Sequence, residues 1–171
     1  NALLARAYNA EAAHYRWSSN LSNALYAGAE FTGSLDYTAC ALGQWIYGEE
    51  KSDDPQIVEQ INVMEPLHKK LHETAGEILE QMAVSPQAAQ ARYQNEIQST
   101  LTTLVGALDT VIAREAAIRE EAEHVLNRTI LTLQVTAIVC FLINLVCLYS
   151  QGWYVMSKVV RPILTITHKS K

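Results

Sequence analysis

The sequence predicts an all-α protein: an antiparallel four-helix bundle whose last long helix continues into a transmembrane helix. Three observations carry this expectation. Apolar residues step alternately by four and three along three separate stretches, the rhythm of a helix with one buried seam. Seven glycines and four prolines in 171 residues, with few alternating β-branched runs, leave little that reads as sheet. Residues 129–157 carry no charged side chain, and the 20 residues from Ile130 to Tyr149 are mainly Leu, Ile, Val and Cys. That is enough to cross a hydrocarbon layer of about 30 Å.

The first element runs from about Asn1 to Tyr26, with a seam at Leu3, Ala7, Ala10, His14, Trp17, Leu21 and Ala24. His14 and Trp17 therefore face inward. Asn1 already falls inside the pattern and the sequence shows no signal-peptide pattern, so a fragment of a longer chain is expected. The helix is thus expected to continue upstream, from another membrane span. A shorter second helix is expected from about Ser34 to Tyr47, carrying Cys40, Leu42 and Trp45 and closed by Gly48 and the polar run 49–54. The third opens with Asp54 as N-cap and Pro55 at the first helical position. Its seam is Ile57, Ile61, Met64, His68, Leu71, Ala75, Ile78 and Met82, and Pro66 is expected to kink it one turn before His68.

Ser85-Pro86 repeats the start signal for the fourth helix. Its seam is Ile97, Leu101, Leu104, Leu108, Val111, Ile118, Ala122 and Val125, with Glu115 as the polar intruder. No breaker parts it from the apolar stretch, so one unbroken rod into the bilayer is expected. At 1.5 Å per residue it would reach about 65 Å from Pro86 to Arg128, against about 42 Å for the third helix. That mismatch is a second reason to expect more of helix one upstream.

Charge is divided unevenly. Net charge is −5, yet residues 1–128 hold all 18 acidic side chains with nine Lys or Arg, and residues 129–171 hold four Lys or Arg and no acid. Basic and aromatic residues are not interleaved in the first part, which excludes nucleic acid as the expected partner. Gly152-Trp153-Tyr154 reads as an interfacial anchor, and Lys158, Arg161, Lys169 and Lys171 place that end on the cytoplasmic side. Arg114, Arg119 and Arg128 near the other end weaken this rule. A buried core helix is the competing reading of the apolar stretch, but no other segment could cover so apolar a rod. The expected organisation is a helical bundle over 1–128, a span over 129–151 and a cytoplasmic juxtamembrane segment over 152–171.

Four of the five His and Cys residues before position 129 stand in an ordered pattern. They are His14 with Trp17 three residues on, Cys40 in Cys-Ala-Leu-Gly43-Gln-Trp45, and the pair His68 and His72. Three imidazoles and a thiolate are donors that tetrahedral zinc takes. His68 and His72, four apart on one helix face, have Cβ atoms about 5–6 Å apart. A lone inward His is ordinarily a neutral core residue with a hydrogen-bond partner. Three with a Cys are another matter, because buried polar groups without partners cost about 1–3 kcal/mol each and coordination satisfies them together.

Four protein ligands would leave no open position, which is the structural rather than the catalytic pattern. Lys69 stands where a zinc peptidase carries glutamate, so no enzyme is expected. Trp17 and Trp45 either wall the site or fill ordinary core. Gly43 is expected to let a neighbouring helix backbone approach the Cys40 turn. Asp36 is either a carboxylate holding a ligating imidazole or an exposed surface residue. Cys40 is the one cysteine outside the apolar stretch, without an internal disulfide partner and open to oxidation. Cys140 and Cys147 read as apolar packing, and Gln134 and Asn144 as groups able to bond across a dimer. His124 and His168 receive no role.

These blocks, in this order and with 22-residue spacers, resemble the chemoreceptor zinc-binding (CZB) domain over roughly residues 10–75. The signature is His-x-x-Trp, Cys-x-Leu-Gly-x-Trp and His-x-x-x-His. The resemblance implies a Zn2+ site with His14, Cys40, His68 and His72 as ligands. It departs in context, since most such domains look cytoplasmic and this one precedes an apolar span. Lys158-Val-Val-Arg161-Pro162-Ile-Leu resembles the opening of a HAMP signalling module, which would put residues 1–128 outside the cytoplasm. Together these imply the periplasmic sensor of a chemoreceptor-like homodimer in a bacterial inner membrane. Metal occupancy or oxidation of Cys40 would be passed through the last helix to cytoplasmic signalling proteins. A constitutive zinc staple in a receptor for another ligand is the alternative, and a haem-binding bundle is a further one.

Overall fold

A computed structural model describes residues 2–49 and 52–161. Those residues are helical throughout their regular structure, with no strand among them. The helices are α1 (Ala2–Ala27), α2 (Ala41–Tyr47), α3 (Pro55–Met82) and α4. Helix α4 runs Pro86–Arg92, widens into a π turn at Tyr93–Ile97, continues over Gln98–Val155 and ends in a second π turn at Met156–Val160. Two compact units divide the chain, Asn1–Arg119 and Glu120–Lys171.

The expected seams form the core of the first unit. Ala7, Ala10, His14, Trp17, Leu21 and Ala24 are buried on α1, with Leu3 half-buried. On α3 the buried set is Ile57, Ile61, Met64, His68, Leu71, His72, Thr74, Ala75 and Ile78. Each fully buried Leu or Ile, such as Leu21, Leu71 and Ile78, contributes about 1.5–3 kcal/mol by leaving water. Helix α1 stops because Gly28 takes φ +68°, a left-handed conformation that a side chain disfavours. Helix α3 starts where expected, with Asp54 Oδ1 accepting from the Gln56 and Ile57 amides at 3.0 and 3.1 Å. It stays helical across Pro66.

Two expectations are corrected. The second helix begins at Ala41 rather than near Ser34, so Cys40 is its N-cap and not an interior residue. Asp36 explains the delay: its Oδ1 accepts from the amide and the hydroxyl of Thr38 at 2.8 and 2.7 Å, a local turn that competes with helix. Nor is the fourth helix uniform. Its buried positions Ala89, Tyr93, Ile97 and Leu101 are three successive steps of four. Three α-helical turns span about 10.8 residues, not twelve, so a straight α-helix would rotate this face away. The π turn at Tyr93–Ile97 absorbs the extra residue and keeps Tyr93 and Ile97 inward. Beyond it Leu104, Leu108 and Val111 resume the expected rhythm and Ile118 is half-buried. Ala122 and Val125, expected in the same seam, are exposed because no other described helix packs against that stretch.

Ion pairs tie α3 to α4 within this unit. Arg114 donates to Asp54 Oδ2 through Nε and an NH2 group at 3.0 and 2.7 Å, and Arg92 bridges Glu77 and Glu96.

In the second unit, described as far as Arg161, the helix is exposed along almost its whole length. It is long and apolar enough to cross a membrane. Its polar side chains bond to their own helix: Thr129, Thr132 and Thr136 hydroxyls donate to carbonyls four residues back, and Asn144 Nδ2 donates to the Cys140 carbonyl. Such bonds lower the cost of placing these groups in apolar surroundings. Pro162 to Leu164, His168, Lys169 and Lys171 lie outside the described residues, so the HAMP-like string is described only to Arg161.

Candidate metal centre

Three segments of chain supply the cluster. His14 comes from the middle of α1, His68 and His72 from consecutive turns of α3, and Cys40 from the N-cap of α2. One donor atom from each of the four lies within 4.8 Å of the others. A tetrahedron with Zn–N and Zn–S bonds of ordinary length has edges of about 3.3–3.6 Å, so the widest pair needs to close by only about 1 Å. All four residues singled out in the sequence are brought together.

The histidines are sealed in protein. His14, His68 and His72 expose 2, 0 and 1% of their surface, while Cys40 is half-buried. His14 Nδ1 donates to the Ala10 carbonyl at 2.7 Å, which turns Nε2 toward the cluster as a free lone pair. That anchor is the residue one helical turn back, and Nε2 itself has no partner. His68 Nε2 lies 3.1 Å from Cys40 Sγ, whereas its Nδ1 is buried and unpartnered. Neither nitrogen of His72 has a hydrogen bond of full geometry. Trp17 covers this imidazole, with ring centroids 4.9 Å apart and planes tilted by 37°, and is fixed by its own Nε1 donating to the Ser34 carbonyl at 2.8 Å. Trp45 is buried in the surrounding core.

Burial favours the uncharged form of each of the four groups. Burial pushes the His14 imidazole below its ordinary range, with the Ala10 carbonyl pulling partly back. Burial, and then the neighbouring His14 and His72, push His68 down to about 3. His72 is pushed down to about 4 by burial and His14, against the backbone near Ser34 and Leu35 and the Asp36 charge. The Cys40 thiol is raised by burial, opposed first by the Gly43 and Leu42 amides. Free imidazole lone pairs beside a thiol are a donor set poised for a divalent cation, whose charge would favour the thiolate.

The local sequence makes this geometry. The Gly43 amide donates to Cys40 Sγ at 3.3 Å, holding the sulfur at the start of α2. A Cβ on Gly43 would run into the Tyr37 carbonyl oxygen and the Thr38 backbone. Gly43 thus admits the preceding loop of its own chain, not a neighbouring helix as expected. Asp36 makes no bond to an imidazole; its carboxylate is exposed and engaged with Thr38.

A second buried polar group was not anticipated. Tyr93 hydroxyl donates to the Ser18 carbonyl at 3.2 Å and lies 3.1 Å from Ser18 Oγ, while Gln98 Nε2 donates to that hydroxyl at 2.6 Å. The signal was present as Ala89, Tyr93 and Ile97 at steps of four, ahead of the seam that the sequence had suggested.

Comparison with curated proteins and with solved structures gives no match. The family model of the chemoreceptor zinc-binding domain does match, over residues 14–79. CZB is a zinc-binding domain, and the matched stretch begins at His14 and takes in Cys40, His68 and His72, the group that could hold the ion.

Proposed function

We propose that residues 1–128 are the zinc-binding sensory domain of a bacterial transmembrane signal transducer, with His14, Cys40, His68 and His72 as the ligands. The observation that carries this is one donor atom from each of three buried imidazoles and a thiol, all within 4.8 Å of one another, drawn from three segments and contained in a CZB match. A bound zinc would supply a structural tie with no open coordination position. His14 is oriented by the Ala10 carbonyl, Trp17 and the core exclude water, and Cys40 would hold the ion as a thiolate, its proton released to solvent. No reaction is assigned to the site, and the domain is read as a sensor rather than an enzyme.

In this reading α1, α2, α3 and the early part of α4 form an antiparallel bundle, with a short connection between α3 and α4 and longer ones before them. Residues 129–151 cross the inner membrane of a bacterium and 152–171 begin a cytoplasmic HAMP module. The bundle is then periplasmic and works as a homodimer. Signalling requires that occupancy, or oxidation of Cys40, favour one of two arrangements of α4. In such a mechanism the ion pairs from Asp54 and Glu77 to α4 are contacts that a shift of α4 would break.

Elemental analysis of the purified chain should give one zinc per chain, and none for Cys40→Ser or for His68→Ala with His72→Ala. Full retention of zinc by the double variant would sink the proposal. The closed, buried ligand set also favours a second reading, a permanent zinc staple in a receptor for another ligand. Titrating free zinc against output separates them, because a staple stays saturated across the range in which a sensor responds.

A further inference from the structure

A cavity of about 400 Å³ lies where α1 meets α2, lined by Arg6 and Asn9 of α1 and by Ala41, Gln44, Trp45 and Glu49 along and just after α2. Its size falls within the range of small-molecule sites, about 300–1,000 Å³, but its lining is more polar than most. Arg6 and Asn9 stand three apart and so share one face of α1. The fork of Arg6 carries five N–H donors, more than one carboxylate takes up. Trp45 is only 5% exposed, yet its Nε1 meets no acceptor among the described residues. A buried indole N–H ordinarily has a partner, so this donor is unfinished. Gln44 donates through Nε2 to the Ala39 carbonyl at 3.0 Å, which leaves its Oε1 as an acceptor. Glu49 is exposed and makes no ion pair among the described residues.

We propose that this cavity binds a free α-amino acid. The carboxylate of the ligand takes the Arg6 guanidinium, whose planar fork matches two oxygens, with Trp45 Nε1 and Asn9 Nδ2 as further donors. Its ammonium takes the Glu49 carboxylate and Gln44 Oε1. One cation and one anion in the same lining select a zwitterion, because a simple anion meets Glu49 and a simple cation meets Arg6. Only Trp45 and Ala41 offer much apolar surface, so a small or polar side chain fits better than a long apolar one. None of the lining residues belongs to the metal cluster, and the proposal stands apart from the zinc reading. The ligand joins α1 to α2, the segments that carry His14 and Cys40.

The test is isothermal titration of the full chain, loaded with zinc and freed of excess metal, with L-alanine, L-serine and L-glutamine. Each is compared with its N-acetyl and its amide derivative, which lack one charge. At least one free amino acid is expected to bind with a dissociation constant of about 1 mM or below. Loss of either charge should weaken it by about tenfold. Arg6→Gln and Glu49→Gln, both at exposed positions, should each do the same while keeping one zinc per chain. Trp45→Phe keeps the wall but removes the N–H, and should weaken binding by about fivefold. Failure of all three amino acids to bind at about 10 mM overturns the proposal. So does an affinity unchanged by acetylation or amidation, or by any one of the three substitutions; heat that persists in Arg6→Gln comes from chelation of the metal. A wild-type chain that binds no zinc removes the reading given above and leaves the outcome at this cavity to be read by itself.

Discussion

Two buried polar groups sit in the core of the first unit, one built on His14, His68, His72 and Cys40, the other on Ser18, Tyr93 and Gln98. They are near in sequence, since Ser18 lies one helical turn after His14 on the same helix. Their accounting is opposite. In the second group each hydroxyl and the donating amide meet one another: Tyr93 is bonded to both Ser18 and Gln98. In the first, four imidazole nitrogens are buried without a hydrogen bond of full geometry, and one ion could take a single nitrogen from each ring. Leaving such atoms unpaired costs about 1–3 kcal/mol each, so a fold does not retain them in one place without compensation. A self-contained network fastens two helices. An unfinished one marks a place for a guest.

The largest test of this contrast removes the guest. With free zinc about 1,000-fold above the dissociation constant, binding to the native state alone adds about 4 kcal/mol to unfolding stability. Denaturant titrations with and without zinc should show that gain in the wild type and none in His68→Ala with His72→Ala. Tyr93→Phe should keep the gain in full. A zinc response lost in Tyr93→Phe would mean that the two groups are not separate.

Acid should also distinguish them. The folded-state values of His14, His68 and His72 lie below the ordinary 6.5, so under acid conditions the unfolded chain binds protons that the folded chain refuses. Stability of the metal-free protein is therefore greatest above that value and falls as pH drops below it. For His68 the loss continues toward about 3, and for His72 toward about 4. Each histidine contributes a slope of up to about 1.4 kcal/mol per pH unit within its window. Unfolding curves measured from pH 7 to 4 after chelation should show the steepening, and His72→Gln should reduce it. Tyr93→Phe should lower the whole profile without altering its slope, by about 1–2 kcal/mol, because Ser18 and Gln98 lose a shared partner.

How much of this was legible in the sequence depended on range. The seams of the first and third helices and the Asp54-Pro55 start are local signals, and each stands where the spacing put it. The fourth helix's expected seam, in contrast, is buried only to Val111 and exposed at Ala122 and Val125. The cluster was legible because chemistry restricts what buried His and Cys can do together, whichever loops bring them near. Three features escaped because they depend on distant or irregular backbone. Asp36 capturing Thr38 shortened α2, a competition that helix periodicity does not register. The loop crossing Gly43 approaches from upstream, where a second helix had been expected. The π turn that turns Tyr93 inward was written as three steps of four, but its partner Ser18 is 75 positions away.

Gly43 connects that lesson to a smaller effect. Gly43→Ala places a methyl group against the Tyr37 carbonyl oxygen and Thr38 backbone, which no rotamer change can relieve. Backbone displacement of this kind costs about 1–3 kcal/mol. The moved segment carries Cys40, so zinc affinity should fall while the helical content persists. Circular dichroism and a chelator competition measure the two together; unchanged affinity would show that the sulfur does not depend on the Tyr37–Thr38 backbone.

The smallest effect belongs to the residue beside the ligands in sequence. Lys69 follows His68 directly, yet it points to the surface: its Nζ lies 3.8 Å from Glu73 and 5.6 Å from the centre of the Tyr37 ring, with the side chain 49% exposed. Exposed pairs of this type contribute about 0–1 kcal/mol, since water screens them and two long side chains must be held still. Lys69→Ala should therefore change unfolding stability by less than about 1 kcal/mol and leave zinc stoichiometry at one. Isothermal titration of that variant is a demanding control, because adjacency along the chain would predict a loss that the geometry denies. A large fall in zinc affinity would mean that the helix face carrying Lys69 shapes the site, and that the separation between unfinished interior and solvated surface is drawn in the wrong place.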